Sequence, residues 1–355
     1  MPETAFQPNW VSPPGETIAD VLRDRKVSVS AFSQRIGQTQ EQTTELLLGR
    51  SKITLGLARR LVEVLGGSVE FWMARDFRYQ QQLAKPGLID NAWLRQLPIA
   101  DMVRFGWIKQ ESESPHQLAE CLKFFGVPNI AAWHRAFGTL ERKFAFRTSP
   151  SFESRPAAIA AWLRQGELQA EKIECERWNA KRFEATFAST RALSREKNPE
   201  VFVPRLQQLC AEAGVAVVIV RAPAGCHASG ATRFVTPQKA MLLLSFRFLS
   251  DDQFWFSFFH EAGHILLHGK QEVFIEGIEM PTASTEQEAN DLAEHTLIPP
   301  QYQSKLMRVR PNKYEIVRFA RQIGVSPGIV VGQLQHYGKI KHGHFNGLKR
   351  RYTWE

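Results

Sequence analysis

The residue types best suited to chemistry sit between Phe254 and His268. His260-Glu261-Ala262-Gly263-His264 is an H-E-x-x-H. On a helix, residues four apart lie on the same face. His260 and His264 can therefore aim ring nitrogens at one metal ion, ~2.0–2.1 Å away for zinc. Glu261 is turned by about 100° from His260. That places it beside the ion, where it can take a proton from an attacking water. A catalytic zinc keeps three protein ligands and one open position. Glu286-Gln287-Glu288-Ala289-Asn290 offers the third ligand. Glu286 can complete the site, and Asn290, one turn on, can hydrogen-bond the far nitrogen of a liganding histidine. Glu288 is the alternative third ligand. The flanks Phe254–Phe259 and Ile265-Leu266-Leu267 are strongly apolar. They would bury the helix nearly all round, so its two imidazoles and carboxylate need partners, which a metal supplies. His268, a turn beyond His264, reads as a capping or supporting histidine before Gly269. His227, His295 and Tyr302 are candidates to stabilise an oxyanion or ordinary surface residues.

These side chains need a scaffold, and the pattern changes from Pro204 to provide one. Arg205–Ala213 reads as a helix. Val215–Val220 is a β-branched run after Gly214, as in a buried strand. Ala231–Val235 and Lys239–Phe246 read as two more strands joined at Thr236-Pro237. Gly225–Phe234 has small residues suited to an edge strand that accepts an extended peptide, or to a plain hairpin. A long helix is expected over Asp251–His268 and another over Thr285–Leu297, ending before Pro299-Pro300. Helices Lys313–Gly324 and Pro327–His336 precede a Lys/Gly/His-rich tail that holds His342 and His344.

Residues 1–13 read as an extended arm and 14–84 as a string of short helices. Ser28 is a plausible N-cap, Phe32 and Ile36 form one apolar face, Gly37 is a turn, and Thr39 caps a second helix, Gln40–Leu48. Two short helices about a glycine turn describe a helix-turn-helix. In that geometry Gln40, Gln42 and Thr43 reach base edges, and Arg50 and Lys52 follow at positions for phosphates. The alternative is a protein-docking module, since Glu41 and Glu45 lie on or near the reading helix. Residues 85–200 alternate helical patches, Pro115–Phe125, Pro156–Cys175 and Lys181–Ser194, with Pro/Ser stretches, and carry no catalytic motif.

Composition narrows the class. The chain has 355 residues, is 43% hydrophobic and 23% charged, and is thus neither disordered nor collagen-like. Its net charge of +9 resides in residues 304–355, where eleven Lys/Arg face two Glu. Such a segment suits a polyanionic partner or a solvated surface. The four cysteines form no C-x-x-C pair, which argues against a cysteine zinc site. No apolar run approaches the ~20 residues of a membrane span, and the N-terminus lacks the features of a secretory signal. A cytoplasmic protein with no membrane partner is expected.

Two resemblances follow. Pro14-Gly15-Glu16, the helices above, Gly49-Arg50 with Ile53-Thr54, and Leu61–Trp72 resemble HigA-type antitoxins of the Xre-like helix-turn-helix class. Residues 201–337 resemble the ImmA/IrrE zinc metallopeptidases, through Gly230-Ala231-Thr232-Arg233, Phe258–His268, Glu286–Asn290, Leu297-Ile298-Pro299 and Gly324-Val325-Ser326. The second resemblance implies a gluzincin-like site, with His260, His264 and Glu286 on Zn2+ and Glu261 as base, and cleavage of a repressor protein. The expected fold class is α+β: a helix-turn-helix domain at 1–84, a helical connector at 85–200, and a zincin-like domain with a small sheet at 201–355. The expected function is a regulatory zinc endopeptidase fused to a DNA-binding module that acts on a repressor or antitoxin-like protein. Expected partners are operator DNA, that protein substrate, a toxin, and a second copy of the chain. The alternative is an antitoxin-like repressor that uses the peptidase fold only as a sensor or structural domain.

Overall fold

The computed structural model describes residues 13–47, 49, 51–83, 88–145, 155–269, 274–275 and 283–354. The arm expected at 1–13 thus lies almost wholly outside the described residues. The chain divides into two compact units, up to Ala161 and from Trp162. The division falls within a single helix, Pro156–Lys172. The segment expected to be a connector, 85–200, is therefore shared between the units and has no body of its own.

The first unit is helical. It comprises Pro14–Asp24 (α1), Val29–Arg35 (α2), Gln40–Leu47 (α3), Leu55–Leu65 (α4), Val69–Leu83 (α5), Leu88–Gln96 (α6), Ile99–Arg104 (α7), Ser114–Phe125 (α8) and Ile130–Ala145 (α9). The helix Pro156–Lys172 is α10. Side-chain caps begin the early helices. Ser28 Oγ accepts from the Ala31 amide at 3.2 Å and Thr54 Oγ1 from the Leu57 amide at 3.3 Å. Ile18, Leu22, Phe32, Ile36, Leu46, Leu57, Leu61 and Trp72 form one buried core for α1–α5. Gly37, at φ +62°, makes the turn between α2 and α3, a conformation glycine adopts without strain. The Arg60 guanidinium holds that turn, donating to the Ile36 carbonyl at 2.8 Å. Farther on, Trp93, Phe125 and Trp133 pack edge to face, with centroids 5.5–6.1 Å apart.

The second unit is α+β. From α10 it continues with Ala180–Leu193 (α11), Pro199–Ala211 (α12), Val215–Ile219 (β1), Gly230–Thr236 (β2), Lys239–Leu244 (β3), Asp251–Gly263 (α13), Phe274–Ile275 (β4), Ala283–Leu297 (α14), Pro300–Leu306 (α15), Lys313–Ile323 (α16) and Pro327–His336 (α17). The sheet order is β1-β3-β2-β4. β1 runs parallel to β3, with Val217 opposite Leu242, while β2 is antiparallel to both β3 and β4. β1 and β3 are buried along nearly their whole length, which accounts for their uninterrupted apolar sequence. Leu242 and Leu244 join the core built around Trp255, Phe258 and Phe259 of α13. Leu243 faces the other way, against Gly166 of α10, where an added Cβ would lie 2.6 Å from a Leu243 methyl. The Trp162 indole ties α10 to the sheet by donating to the Val220 carbonyl at 2.9 Å.

One expectation of the sequence is corrected. Helix α12 begins at Pro199 instead of after Pro204. Asn198 caps it, accepting from the Glu200 amide at 3.0 Å, and Pro204 lies inside. Pro204 has no amide to donate to the Glu200 carbonyl one turn earlier. The basic C-terminal segment packs on the second unit. The Gln335 amide donates to the carbonyls of His342 and His344 and to Asn346 Oδ1 at 2.9–3.0 Å. Lys349 forms a buried 2.6 Å ion pair with Asp252, and Tyr352 is buried against Phe202 and Phe246. Arg350 donates to the carbonyls of Ser194, Arg195 and Glu196 at 2.7–2.9 Å. These carbonyls follow the end of α11, where backbone acceptors lack helical partners. No described helix is long and apolar enough to cross a membrane.

Hydrogen bonds from a charged donor contribute about 1.5–3 kcal/mol each, with strong overlap between neighbours. Arg350→Ala is therefore expected to destabilise the second unit by about 2–3 kcal/mol, read as a lowered urea midpoint by circular dichroism. Arg351→Ala, which removes an exposed bond to the Phe248 carbonyl, should change it by less than ~0.5 kcal/mol.

Candidate metal centre

Helix α13 carries the H-E-x-x-H into the core. Asp251 and Asp252 occupy its first turn, where negative charge favours the helix dipole. Asp251 Oδ1 accepts from the amides of Asp252 and Arg350, both at 3.0 Å. Trp255, Phe258, Phe259 and Ala262 bury the helix on the core side. His260, Glu261 and His264 are each at most 2% exposed. The α-helix expected to run to His268 stops at Gly263 and continues as a π-helical turn, His264–His268.

Helix α14 crosses α13 at close range. A Cβ on Gly263 would lie 3.1 Å from Ala289 Cα, so only a glycine fits there without displacing the partner backbone. Glu286 and Asn290 flank Ala289 on α14, and the close crossing carries both to the histidines. The ligand atoms of His260, His264 and Glu286 all lie within 4.8 Å of one another. His260 Nε2 is 3.0 Å from His264 Nε2. The Glu286 carboxylate is 3.4 Å from His260 Nε2 and 3.3 Å from His264 Nε2.

Protonation follows from the partners. Asn290 Oδ1, an acceptor, lies 2.9 Å from His260 Nδ1. The His260 proton is thus held on Nδ1 and the Nε2 lone pair faces the cluster. Burial, then the neighbouring His264, pushes the His260 pKa down to about 4, so its ring is neutral near pH 7. Glu286 is held below the ordinary carboxylate range, chiefly by its hydrogen bond with His264. Two imidazoles and one carboxylate converging on a point form a donor set that fits a divalent ion such as zinc.

Glu261 lies beside this cluster, fully buried. Gly230, the first residue of β2, makes room for it: a Cβ there would lie 2.7 Å from the Glu261 carboxyl carbon. The sequence marks Gly230 as one of several small residues and as part of the Gly230–Arg233 resemblance; its closeness to Glu261 is a product of the fold. Glu288, the alternative third ligand, does not face the cluster. It pairs instead with His268, at 3.0 Å. His295 is exposed on α14, Tyr302 packs on the apolar core from α15, and His227 lies before β2. Within Gly225–Phe234 the strand begins only at Gly230; β2 forms a hairpin with β3 on one side and pairs β4 on the other at Ala231 and Thr232. Over those two residues β2 has no open edge.

The residues expected to touch DNA have separate fates. Gln40 and Lys52 are exposed, with Gln40 Nε2 donating to Ser30 Oγ at 3.0 Å. Gln42 closes a capping box: its Oε1 accepts from the Thr39 amide while Thr39 Oγ1 accepts from the Gln42 amide, both at 3.1 Å. Its side chain is thereby turned back onto its own helix. Thr43 is buried and donates to the Thr39 carbonyl at 3.0 Å, so it does not face a duplex. Arg50 lies outside the described residues, as does Leu48, the expected end of α3, which closes at Leu47.

Removing a ligand should cost more affinity than the ~10–100-fold typical of an outer partner. Equilibrium dialysis is expected to find one zinc per wild-type chain and none retained by His264→Ala. The metal-free chain should respond to acid in a definite direction. His260 titrates at 6.5 when unfolded and about 4 when folded, so the unfolded state binds the extra proton between these values. Stability is then lost as pH falls from about 6.5 towards 4, and Glu286, also depressed, adds loss in the same direction. Urea midpoints measured across that range check this, and His260→Gln should flatten the dependence.

Comparison with known proteins agrees with this reading over the second unit. No curated protein and no solved structure gives a significant match to the chain. Residues 212–334, from the end of α12 to α17, match the family model Peptidase_M78, described as the IrrE N-terminal-like domain, and this segment of the chain is accordingly similar to metallopeptidases of the ImmA/IrrE kind.

Proposed function

We propose that the chain is a zinc-dependent regulatory endopeptidase joined to a DNA-binding helix-turn-helix, acting in the cytoplasm on a repressor or antitoxin-like protein. The observation that carries the peptidase reading is the fully buried Glu261 beside the convergent set His260, His264 and Glu286. A structural metal needs no carboxylate in that position; hydrolysis does.

His260, His264 and Glu286 would hold the ion, which when bound supplies Lewis-acid polarisation of a carbonyl and lowers the pKa of water. The remaining work belongs to the protein. Asn290 keeps the His260 proton on Nδ1. Glu261 accepts the proton of the attacking water at its carboxylate and returns it to the leaving amine. Gly230 leaves the space in which that carboxylate lies. The apolar wall of Phe254, Trp255, Phe258 and Phe259 excludes bulk water from behind the site, which strengthens each electrostatic contact inside it.

The N-terminal helices supply the second part of the reading. Two short capped helices about the Gly37 turn, with Gln40 and Lys52 exposed, suit docking of α3 in a major groove by a dimer. The substrate is then a repressor or antitoxin of the same class, including another copy of this chain, and a toxin is a further partner. Cleavage would relieve repression at the operator.

Glu261→Gln keeps size and hydrogen bonding but removes the base. It is expected to retain zinc and fold while cleaving a repressor substrate about 10²–10⁴-fold more slowly; cleavage at the wild-type rate would exclude Glu261 as the base. DNA binding is read with the full chain on the segment upstream of its own gene. Gln40→Ala should relax sequence preference by about 1–3 kcal/mol. Lys52→Ala should weaken all sequences alike and reduce the salt slope by about one. Gln42→Ala should instead act as a lost cap, lowering the stability of the first unit by about 0.5–2 kcal/mol.

A further inference from the structure

Beyond the three ligands and the base, a second pair of side chains is joined to the centre. We propose that His268 and Glu288 form a positioning pair that fixes the orientation and tautomer of His264, as Asn290 does for His260. The inference rests on the metal-centre reading above and adds residues to it.

The geometry is a continuous chain. Glu288 Oε2 lies 3.0 Å from His268 Nε2. His268 Nδ1 lies 3.1 Å from His264 Nδ1. His264 Nε2 then faces His260 Nε2 at 3.0 Å and Glu286 at 3.3 Å. Proton accounting gives each link a direction. For His264 to present a lone pair at Nε2, its proton must reside on Nδ1. That Nδ1–H needs an acceptor, and the facing atom is His268 Nδ1. His268 Nδ1 can accept only if its own proton is on Nε2. The Glu288 carboxylate oxygen, 3.0 Å away, accepts from Nε2–H and holds that proton there. One carboxylate on α14 thereby sets two tautomers on the helix opposite.

A capping role for His268 does not account for this arrangement. A cap turns a ring N–H towards helix carbonyls, whereas both ring nitrogens of His268 face side chains of the site. Its side chain is only 9% exposed, while Glu288 is 58% exposed. Water therefore competes weakly at the His268–His264 contact, and Glu288 can be replaced without opening the core.

The test is zinc affinity of the full-length chain by chelator competition, together with visible absorption of the cobalt-substituted protein. Both report the ligand sphere and not the fold alone. His268→Ala and Glu288→Ala are expected to bind zinc about 10–100-fold more weakly than wild type and to shift the cobalt bands. Glu288→Gln, whose amide oxygen accepts the same hydrogen bond, should recover most of the affinity and the wild-type spectrum. Affinity within twofold of wild type and an unmoved spectrum in Glu288→Ala would overturn the pairing and leave the peptidase reading standing. So would a Glu288→Gln protein as weak as Glu288→Ala. Because Glu288 is largely exposed, that comparison holds even if His268→Ala fails to fold. A wild-type chain that shows the expected affinity pattern but cleaves no repressor would overturn the peptidase reading and leave the pairing intact.

Discussion

The close crossing of α13 and α14 is the contact on which the centre depends. Gly263 has no side chain, so Ala289 approaches its backbone to within van der Waals reach. That approach places Glu286 and Asn290 beside the histidines of the other helix. A Cβ at Gly263 would press on the Ala289 backbone, shifting the helix that carries Glu286 and Asn290 relative to the histidines. The candidate metal donors thus depend on a backbone contact to which they contribute no atom.

The surrounding layers exist to keep this crossing dry and stationary. The aromatic side of α13 packs on β1 and β3 through Leu242, Leu244 and Val217. Gly230 opens β2 just where Glu261 needs space. The C-terminal segment ties down the far end of α13: Lys349 pairs with Asp252, and the Arg350 amide donates to Asp251. The basic residues nearest the end of the chain thus serve the fold, leaving fewer of the excess positive charges for an external polyanion than the composition suggests. Arg318 is similarly engaged, with Glu315 at 2.6 Å.

In the first unit the same comparison separates folding from function. Thr39, Gln42 and Thr43 combine small size with hydrogen-bonding groups, which suits both helix caps and base recognition. The structure spends all three on the start of α3. Gln40 and Lys52 remain at the surface, and any reading of sequence by this helix would fall to them and to residues outside the described set.

What the sequence determined by itself is what local spacing encodes. The i,i+4 pairs His260/His264 and Glu286/Asn290 are one turn apart on any helix, so each pair's sharing of one helix face was legible before a fold was known. The β-branched run at Val215 and the Pro/Gly punctuation around α14 and α17 located the elements to within a few residues. Tertiary structure turned Glu286, already favoured by its one-turn spacing from Asn290, to the histidines and Glu288 to His268, because both lie on α14 and the rotation of that helix at Gly263 sets which one faces in. It also decided that Gly230 lies against Glu261, that residues 162–200 belong with the sheet, and that the tail folds back on α11 and α13. Each of these joins residues about 20 to 150 positions apart in the chain, and no local periodicity carries information about such a contact.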